Sequence, residues 1–213
     1  MIIPAILAPD KETFEARLRM AAQFSDVVQI DILDNSFVPY TSWADVEVIK
    51  KMDTPLLFEL HLMVTDVEKY LTLWSPIKNV RRAIFHIEPF LTSPDDAHDL
   101  LGTIAFYGWE TGLAINPETP ATALDPFLEK LNVALFLGVN PGQSGQSLQS
   151  PVVEKMRAFA TAHSKMPLVG IDGGVMTSNA VVLKQAGADI LCASSAIWNA
   201  QDPISAFREL SQL

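Results

Sequence analysis

Gly170-Ile171-Asp172-Gly173-Gly174-Val175 is the stretch on which the reading of this chain turns. An apolar run ends in one carboxylate, and two glycines follow at once. That order puts an acid/base or metal-binding oxygen at the end of a buried strand. Just beyond it, backbone N–H groups can approach a ligand with no Cβ in the way. Alone, such a stretch is most often a strand stop with an Asp turn. Two further stretches change its weight. Val27-Val28-Gln29-Ile30-Asp31-Ile32-Leu33-Asp34 is a second carboxylate-bearing strand, and Leu60-His61-Leu62-Met63 is a third with a histidine. If all three end at the same rim of one barrel, their polar groups converge.

Outward from these stretches, short apolar runs alternate with amphipathic segments. Apolar runs are expected as strands at 2–7, 27–33, 56–62, 83–87, 111–115, 133–139, 168–171 and 190–193. Asp10 reads as a helix cap, with Phe14, Leu18, Ala21 and Ala22 following at helical spacing. Further helices are expected over 43–52, 66–74, 94–107, 121–131, 151–162, 178–186 and 203–210. The strands are apolar nearly throughout, as strands covered on both faces must be. Strand–helix alternation predicts a parallel sheet with right-handed crossovers. Eight such units in 213 residues predict a single α/β domain over 1–213, a closed (β/α)8 TIM barrel near its minimum size. An open doubly wound sheet would carry a G-x-G-x-x-G turn after its first strand, and Leu7-Ala8-Pro9-Asp10 stands there instead.

A net charge of -10 argues against a nucleic-acid partner or an anionic membrane surface, which both need a basic footprint. A phosphorylated small molecule stays compatible, because N–H groups and helix N-termini hold it locally. The one cysteine, Cys192, has no internal partner for a disulfide, which fits a reducing compartment. No secretory leader and no apolar run of membrane-spanning length are evident, so a cytoplasmic location is expected.

Barrel chemistry sits at the C-terminal ends of the strands. Those ends carry Ala5 and Leu7, then Gln29, Asp31 and Leu33, then His61 and Met63, then His86 and Glu88, Asn116, Val139 and Asn140, Asp172, and Ser194 with Ser195. Period-2 alternation puts Gln29 and Asp31 on one face of their strand. Asp31, His61 and Asp172, with Gln29 beside them, could surround one divalent cation. Two carboxylates and an imidazole suit Zn, Mn, Fe or Co better than Mg or Ca. Taken singly, a rim Asp usually caps the next helix and a lone interior His is usually a satisfied core group. His86 and Glu88 are expected to support the site or a loop, and His98 and His163 to face solvent. Three parts form a phosphate candidate. They are the glycine loop Asn140-Pro141-Gly142-Gln143-Ser144-Gly145-Gln146, the pair Gly173-Gly174, and Ser194-Ser195 after the eighth strand and before Ala196.

These blocks, in this order, resemble the D-ribulose-5-phosphate 3-epimerase family from Ile3 to about Trp198. Pro4-Ala5-Ile6-Leu7 is similar to its P-S-I-L start. The run from Gln29 through Asp31, Asp34 and Phe37 to Pro39 resembles its H-x-D-x-M-D-G-x-F-V-P. His61-Leu62-Met63 matches H-L-M, 139–146 resembles V-N-P-G-F-G-G-Q, Asp172 to Val175 matches D-G-G-V, and 192–196 resembles its A-G-S-A block. Five departures fall on the ligand-facing side. Gln29 stands for the strand-two metal histidine, Ala5 for a serine, Gln143 for the loop aromatic, and Ser144 and Ser194 for glycines. Asn35 for glycine and Leu33 for methionine are milder, since Asn tolerates φ > 0.

The resemblance implies an isomerase, a ketose-phosphate 3-epimerase acting on ribulose 5-phosphate or a related pentulose or hexulose phosphate. Asp31 and Asp172 would exchange the C3 proton through an enediolate. A divalent metal is implied on Asp31, His61, Asp172 and Gln29, held weakly or not at all because Gln29 is neutral. Met63 would supply an apolar wall. Gly142, Gly145, Gly173, Gly174, Ser194 and Ser195 would hold the phosphate. A homo-oligomer is also implied. The alternative is a sugar-phosphate-binding barrel that has lost catalysis and acts as a sensor or partner subunit, which Gln29, Ala5 and Gln143 favour. A decarboxylase or aldolase is disfavoured, because no D-x-K-x-x-D arrangement ends a strand.

Overall fold

In the computed structural model, residues 1–163 and 167–213 are described. Eight parallel strands close into a barrel in sequential order: β1 (Ile2–Ile6), β2 (Val27–Leu33), β3 (Leu57–Met63), β4 (Val80–His86), β5 (Glu110–Ile115), β6 (Val133–Leu137), β7 (Leu168–Asp172) and β8 (Ile190–Ala193). β1 pairs with both β2 and β8, which closes the ring. The helices are α1 (Lys11–Ala21), α2 (Val46–Ile49), α3 (Val67–Trp74), α4 (Pro94–Phe106), α5 (Ser150–Ala162), α6 (Thr177–Gln185), α7 (Ser195–Trp198) and α8 (Pro203–Gln212). This is the expected TIM barrel. Among the described residues, no helix is long and apolar enough to cross a membrane.

Alternation along the strands separates two layers. Val28, Ile30 and Ile32 of β2 and Phe58, Leu60 and Leu62 of β3 face outward into the shell of helix residues such as Phe14, Leu18, Leu71 and Trp74. Each apolar side chain of that size contributes roughly 1.5–3 kcal/mol on burial. The intervening residues face the lumen, where a smaller cluster holds Ile3, Ala5, Ile84, Leu135, Ile190 and Cys192. Charge also enters the lumen. Arg82 of β4 is buried and bonds both Glu59 and Glu110, so the interior guanidinium is paired on two sides. A buried ion that lost its partner here would be strongly destabilising.

Helix starts follow their caps. Asp10 accepts from Thr13 N at 2.8 Å, and Asp66 accepts from Lys69 N at 3.1 Å. Three expectations need correction. The helix expected over 43–52 shrinks to the single turn α2, because Trp43 N is bonded to Ala8 O at 2.8 Å and its ring packs on Phe14. The segment expected as a helix over 121–131 is a 3₁₀ helix, Ala121–Lys130. Pro126 lies inside it and can neither donate an N–H nor sit against the carbonyl one turn back. His98 and His163 do not simply face solvent. Both are partly buried, His98 against Phe127 and His163 against Phe159, with ring centroids 4.5 and 4.6 Å apart.

Candidate active site

Register decides which polar groups meet. Asp31 of β2 lies opposite His61 of β3, and one layer below Gln29 lies opposite Glu59. Asp172 ends β7, across the lumen from β2. His61 Nδ1 is 3.0 Å from Asp31 Oδ1 and 3.3 Å from Asp172 Oδ2. Gln29 Nε2 donates to both carboxylates, to Asp31 Oδ1 and Asp172 Oδ2, at 2.7 Å each. Carboxylates only accept, so the amide must turn its NH2 toward them. Its carbonyl Oε1 is left buried with no hydrogen-bond partner.

Asp31, His61 and Asp172 form a group that could hold a metal ion, with one ligand atom from each lying within 4.8 Å of the others. The orphaned Gln29 Oε1 fits the same purpose. Turned over, the amide would offer that oxygen as a fourth, neutral ligand and relieve its unsatisfied burial. The donor set of two carboxylates, one imidazole and one amide oxygen is of the kind that borderline divalent ions accept.

Behind the cluster His61 Nε2 lies 3.0 Å from His86 Nε2, and His86 Nδ1 lies 3.1 Å from Glu88 Oε2. Glu88 Oε1 accepts from Asn116 N and from Thr119 Oγ1, each at 2.6 Å. Phe37 packs its ring on His86 at 4.6 Å. His86 and Glu88, expected to support the site or a loop, touch the cluster through His61 and the loop after β5 through Asn116 and Thr119. Their chain of partners was not readable, because Thr119 and Phe37 lie far from both in sequence.

The environment favours protons on the cluster. Burial, and after it the charge of Asp172, pushes the Asp31 carboxyl above its ordinary value. Burial disfavours a charged His61, but hydrogen bonds from its ring to Asp172 and Asp31 and their charges outweigh it, lifting His61 to about 10. His86 goes the other way, lowered chiefly by burial. Burial alone would raise Glu88, yet the bonds from His86, Asn116 and Thr119 hold it below the usual range.

Above the cluster one cavity gathers nearly all the residues singled out in the sequence. It is lined by the strand residues Asp31, His61, Met63 and Asp172 and by Gly142, Gly145, Gly173, Gly174, Ser194 and Ser195. Gln143 and Ser144 line it as well. Gln29 does not reach this cavity, since it lies buried one layer below the carboxylates it bonds. Asn116 stays outside, its backbone bonded to Glu88. Gly174 has φ +71°, and an added Cβ would come within 2.6 Å of Leu148 N. Only glycine allows the β7 turn to lie so close to the segment before α5. The sequence did not mark Tyr40, whose ring lies against the Cα of Gly142 and leaves no room for a Cβ. Asn35, which stands where the resemblance has glycine, has φ 69°, a left-handed conformation that Asn tolerates.

Two solved structures share the barrel. A mutant tryptophan synthase α-subunit from Pyrococcus furiosus superposes with a TM-score of 0.69 at 13% identity, covering 100% of this chain and 98% of that one. Orotidine 5'-monophosphate decarboxylase from Sulfolobus solfataricus gives 0.66 at 11%, covering 99% and 95%. At such identities the likeness is one of fold alone. The sequence relatives reach further. Ribulose-phosphate 3-epimerase of Aquifex aeolicus is 29% identical over 100% of this chain and 96% of its own length. The cytoplasmic isoform of rice, Oryza sativa subsp. japonica, is 31% identical over 98% of this chain and 92% of its own. That of Schizosaccharomyces pombe is 28% identical over 95% and 88%. The model of the ribulose-phosphate 3 epimerase family matches residues 1–198, a span that takes in every strand and the whole rim cluster. By that match, and by relatives aligned along almost its full length, this chain belongs to the ribulose-phosphate 3-epimerase family.

Proposed function

We propose that this protein is a ketose-phosphate 3-epimerase, acting on ribulose 5-phosphate or a closely related pentulose or hexulose phosphate. One observation carries the reading. Asp31 and Asp172 reach the same cavity from β2 and β7, and both lie against Nδ1 of His61, at 3.0 and 3.3 Å. Epimerisation at C3 needs two acid/base groups at one site, because the proton leaves one face of the carbon and returns to the other.

The C3 proton is acidified by the neighbouring C2 ketone. One aspartate takes it onto a carboxylate oxygen, an enediolate forms, and the second aspartate returns a proton to the opposite face. The two carboxyls exchange roles with the direction of reaction. The Gln29 NH2 donates to both carboxylates and His61 Nδ1 lies against both, which offsets part of their mutual repulsion. A divalent cation on Asp31, His61 and Asp172 would supply positive charge for the developing enediolate oxygens. Met63, buried and lining the same cavity, would supply an apolar wall. For the phosphate, the backbone around Gly142, Gly145, Gly173 and Gly174, with Ser194 and Ser195, offers N–H and hydroxyl donors lining the cavity.

The Gln29 amide, which ties the two carboxylates together, is the observation that favours the second reading, a barrel that binds a sugar phosphate without turnover. Solvent deuterium incorporation separates the two. Incubation of ribulose 5-phosphate in D2O with zinc or manganese supplied is expected to place deuterium at C3. No exchange with several ketose phosphates, despite demonstrable binding, would establish the binding-protein reading instead.

A further inference from the structure

We propose that Glu88 is a positioning residue which, acting through His86, sets the tautomer of His61. The proposal rests on the reading of Asp31, His61 and Asp172 as a metal-binding group. The contacts form a directed chain. An ionised carboxylate can only accept, so Glu88 Oε2 requires the proton of His86 to sit on Nδ1, 3.1 Å away. A neutral His86 then has only a lone pair at Nε2. The atom facing that lone pair at 3.0 Å is His61 Nε2, which must therefore carry its own proton. A neutral His61 so arranged has its lone pair on Nδ1, the nitrogen 3.0 Å from Asp31 and 3.3 Å from Asp172. Nδ1 is the nitrogen a cation between those carboxylates would need.

The surroundings hold this polarity in one sense. The second oxygen of Glu88 is engaged by Asn116 N, a backbone donor that cannot become an acceptor, and by the Thr119 hydroxyl. Phe37 covers His86, and both histidine side chains are wholly buried, so water cannot easily replace either partner. Hydrogen-bond partners behind a metal-bound histidine commonly govern its orientation and basicity. Here the partner is a second imidazole, which passes on the sense of the carboxylate.

Glu88→Gln reverses the relay without changing its shape. The backbone N–H of Asn116 still demands an acceptor, so the glutamine carbonyl turns that way and its NH2 faces His86 Nδ1. His86 must then carry its proton on Nε2, against the proton of His61. The expected result is a loss of zinc affinity of about 10- to 100-fold by calorimetry. Thr119→Val removes a hydroxyl from the same carboxylate but leaves the relay intact, and is expected to lower the melting temperature with zinc affinity unchanged.

Long-range ¹⁵N–¹H spectra of histidine-labelled wild-type protein test the same point directly, with no substitution. His86 is expected to be protonated on Nδ1 in both zinc-loaded and chelated protein, and His61 on Nε2 when zinc is bound. A His86 proton on Nε2, or a Glu88→Gln protein with wild-type zinc affinity, overturns the proposal. If the wild-type protein takes up no zinc, the metal reading fails by itself, and the tautomer of His86 still decides the relay.

Discussion

Gln29 Nε2 donates to Asp172 Oδ2 at 2.7 Å, a hydrogen bond that crosses the lumen from β2 to β7. The same nitrogen donates to Asp31 at the same distance. A neutral amide thus links two of the three residues that could hold a metal ion. To serve as a ligand, the amide must give up both bonds and turn its unpartnered oxygen inward.

Gln29→His should therefore raise metal affinity at least tenfold, equivalent to about 1.4 kcal/mol. An imidazole supplies a stronger donor to zinc than an amide oxygen and does not have to be turned away from the carboxylates first. Titration calorimetry with zinc and with manganese on both proteins measures the difference. Equal affinities would mean that Gln29 does not limit the site.

Asp31→Asn and Asp172→Asn should each remove most epimerase activity, by about 10²- to 10⁴-fold, the usual worth of a positioned general acid or base. The informative readout is isotopic. Each variant lacks the base for one face of C3, so each should still wash deuterium into one epimer faster than into the other, with opposite preference. Two variants with the same preference would show that the aspartates do not divide the faces between them.

The stability of chelated protein should fall as pH rises from about 6.5 toward 10. His61 is raised from 6.5 to about 10 in the folded chain, so folding takes up a proton in that window. Its contribution is complete below 6.5 and is lost as pH passes through 10. Asp31 is raised too, and works in the same direction from lower pH. Thermal unfolding in excess chelator across that range tests this. A melting temperature that is flat or rises between pH 7 and 9 would contradict the proton-holding cluster.

Gly174→Ala should destabilise the protein by roughly 1–3 kcal/mol, the order of cost for a strained backbone conformation. The position has φ +71°, and the added methyl carbon would meet Leu148 N at 2.6 Å. Moving the β7 turn also disturbs the proposed phosphate wall, so competitive inhibition by inorganic phosphate should weaken with it. Urea unfolding and phosphate inhibition curves would show whether the two losses travel together.

Much of this was legible in the chain. Asp172 followed by two glycines, His61 before Met63, and Gln29 two residues before Asp31 each announced a strand end with a polar group. Those signals are local: apolar alternation sets which face a side chain takes, and glycine marks where a turn approaches a neighbour. The β4 start was less legible, because the apolar run was expected only from Ala83, and only the barrel reveals that Arg82 lies within the strand, buried against Glu59 and Glu110. The segment Ala121–Lys130 carried a helical pattern of apolar residues that Pro126 overrode.

The order of strands, the two faces of each strand and the identities of the rim residues were determined by the sequence, because nearest-neighbour sterics and periodic burial are properties of short stretches. The direction of the Gln29 amide, the sense of the Glu88–His86–His61 chain and the seating of Tyr40 on Gly142 were decided only by the tertiary structure. A buried donor takes whichever acceptor the closed barrel brings within reach. For Gln29 that acceptor lies 143 residues further along the chain.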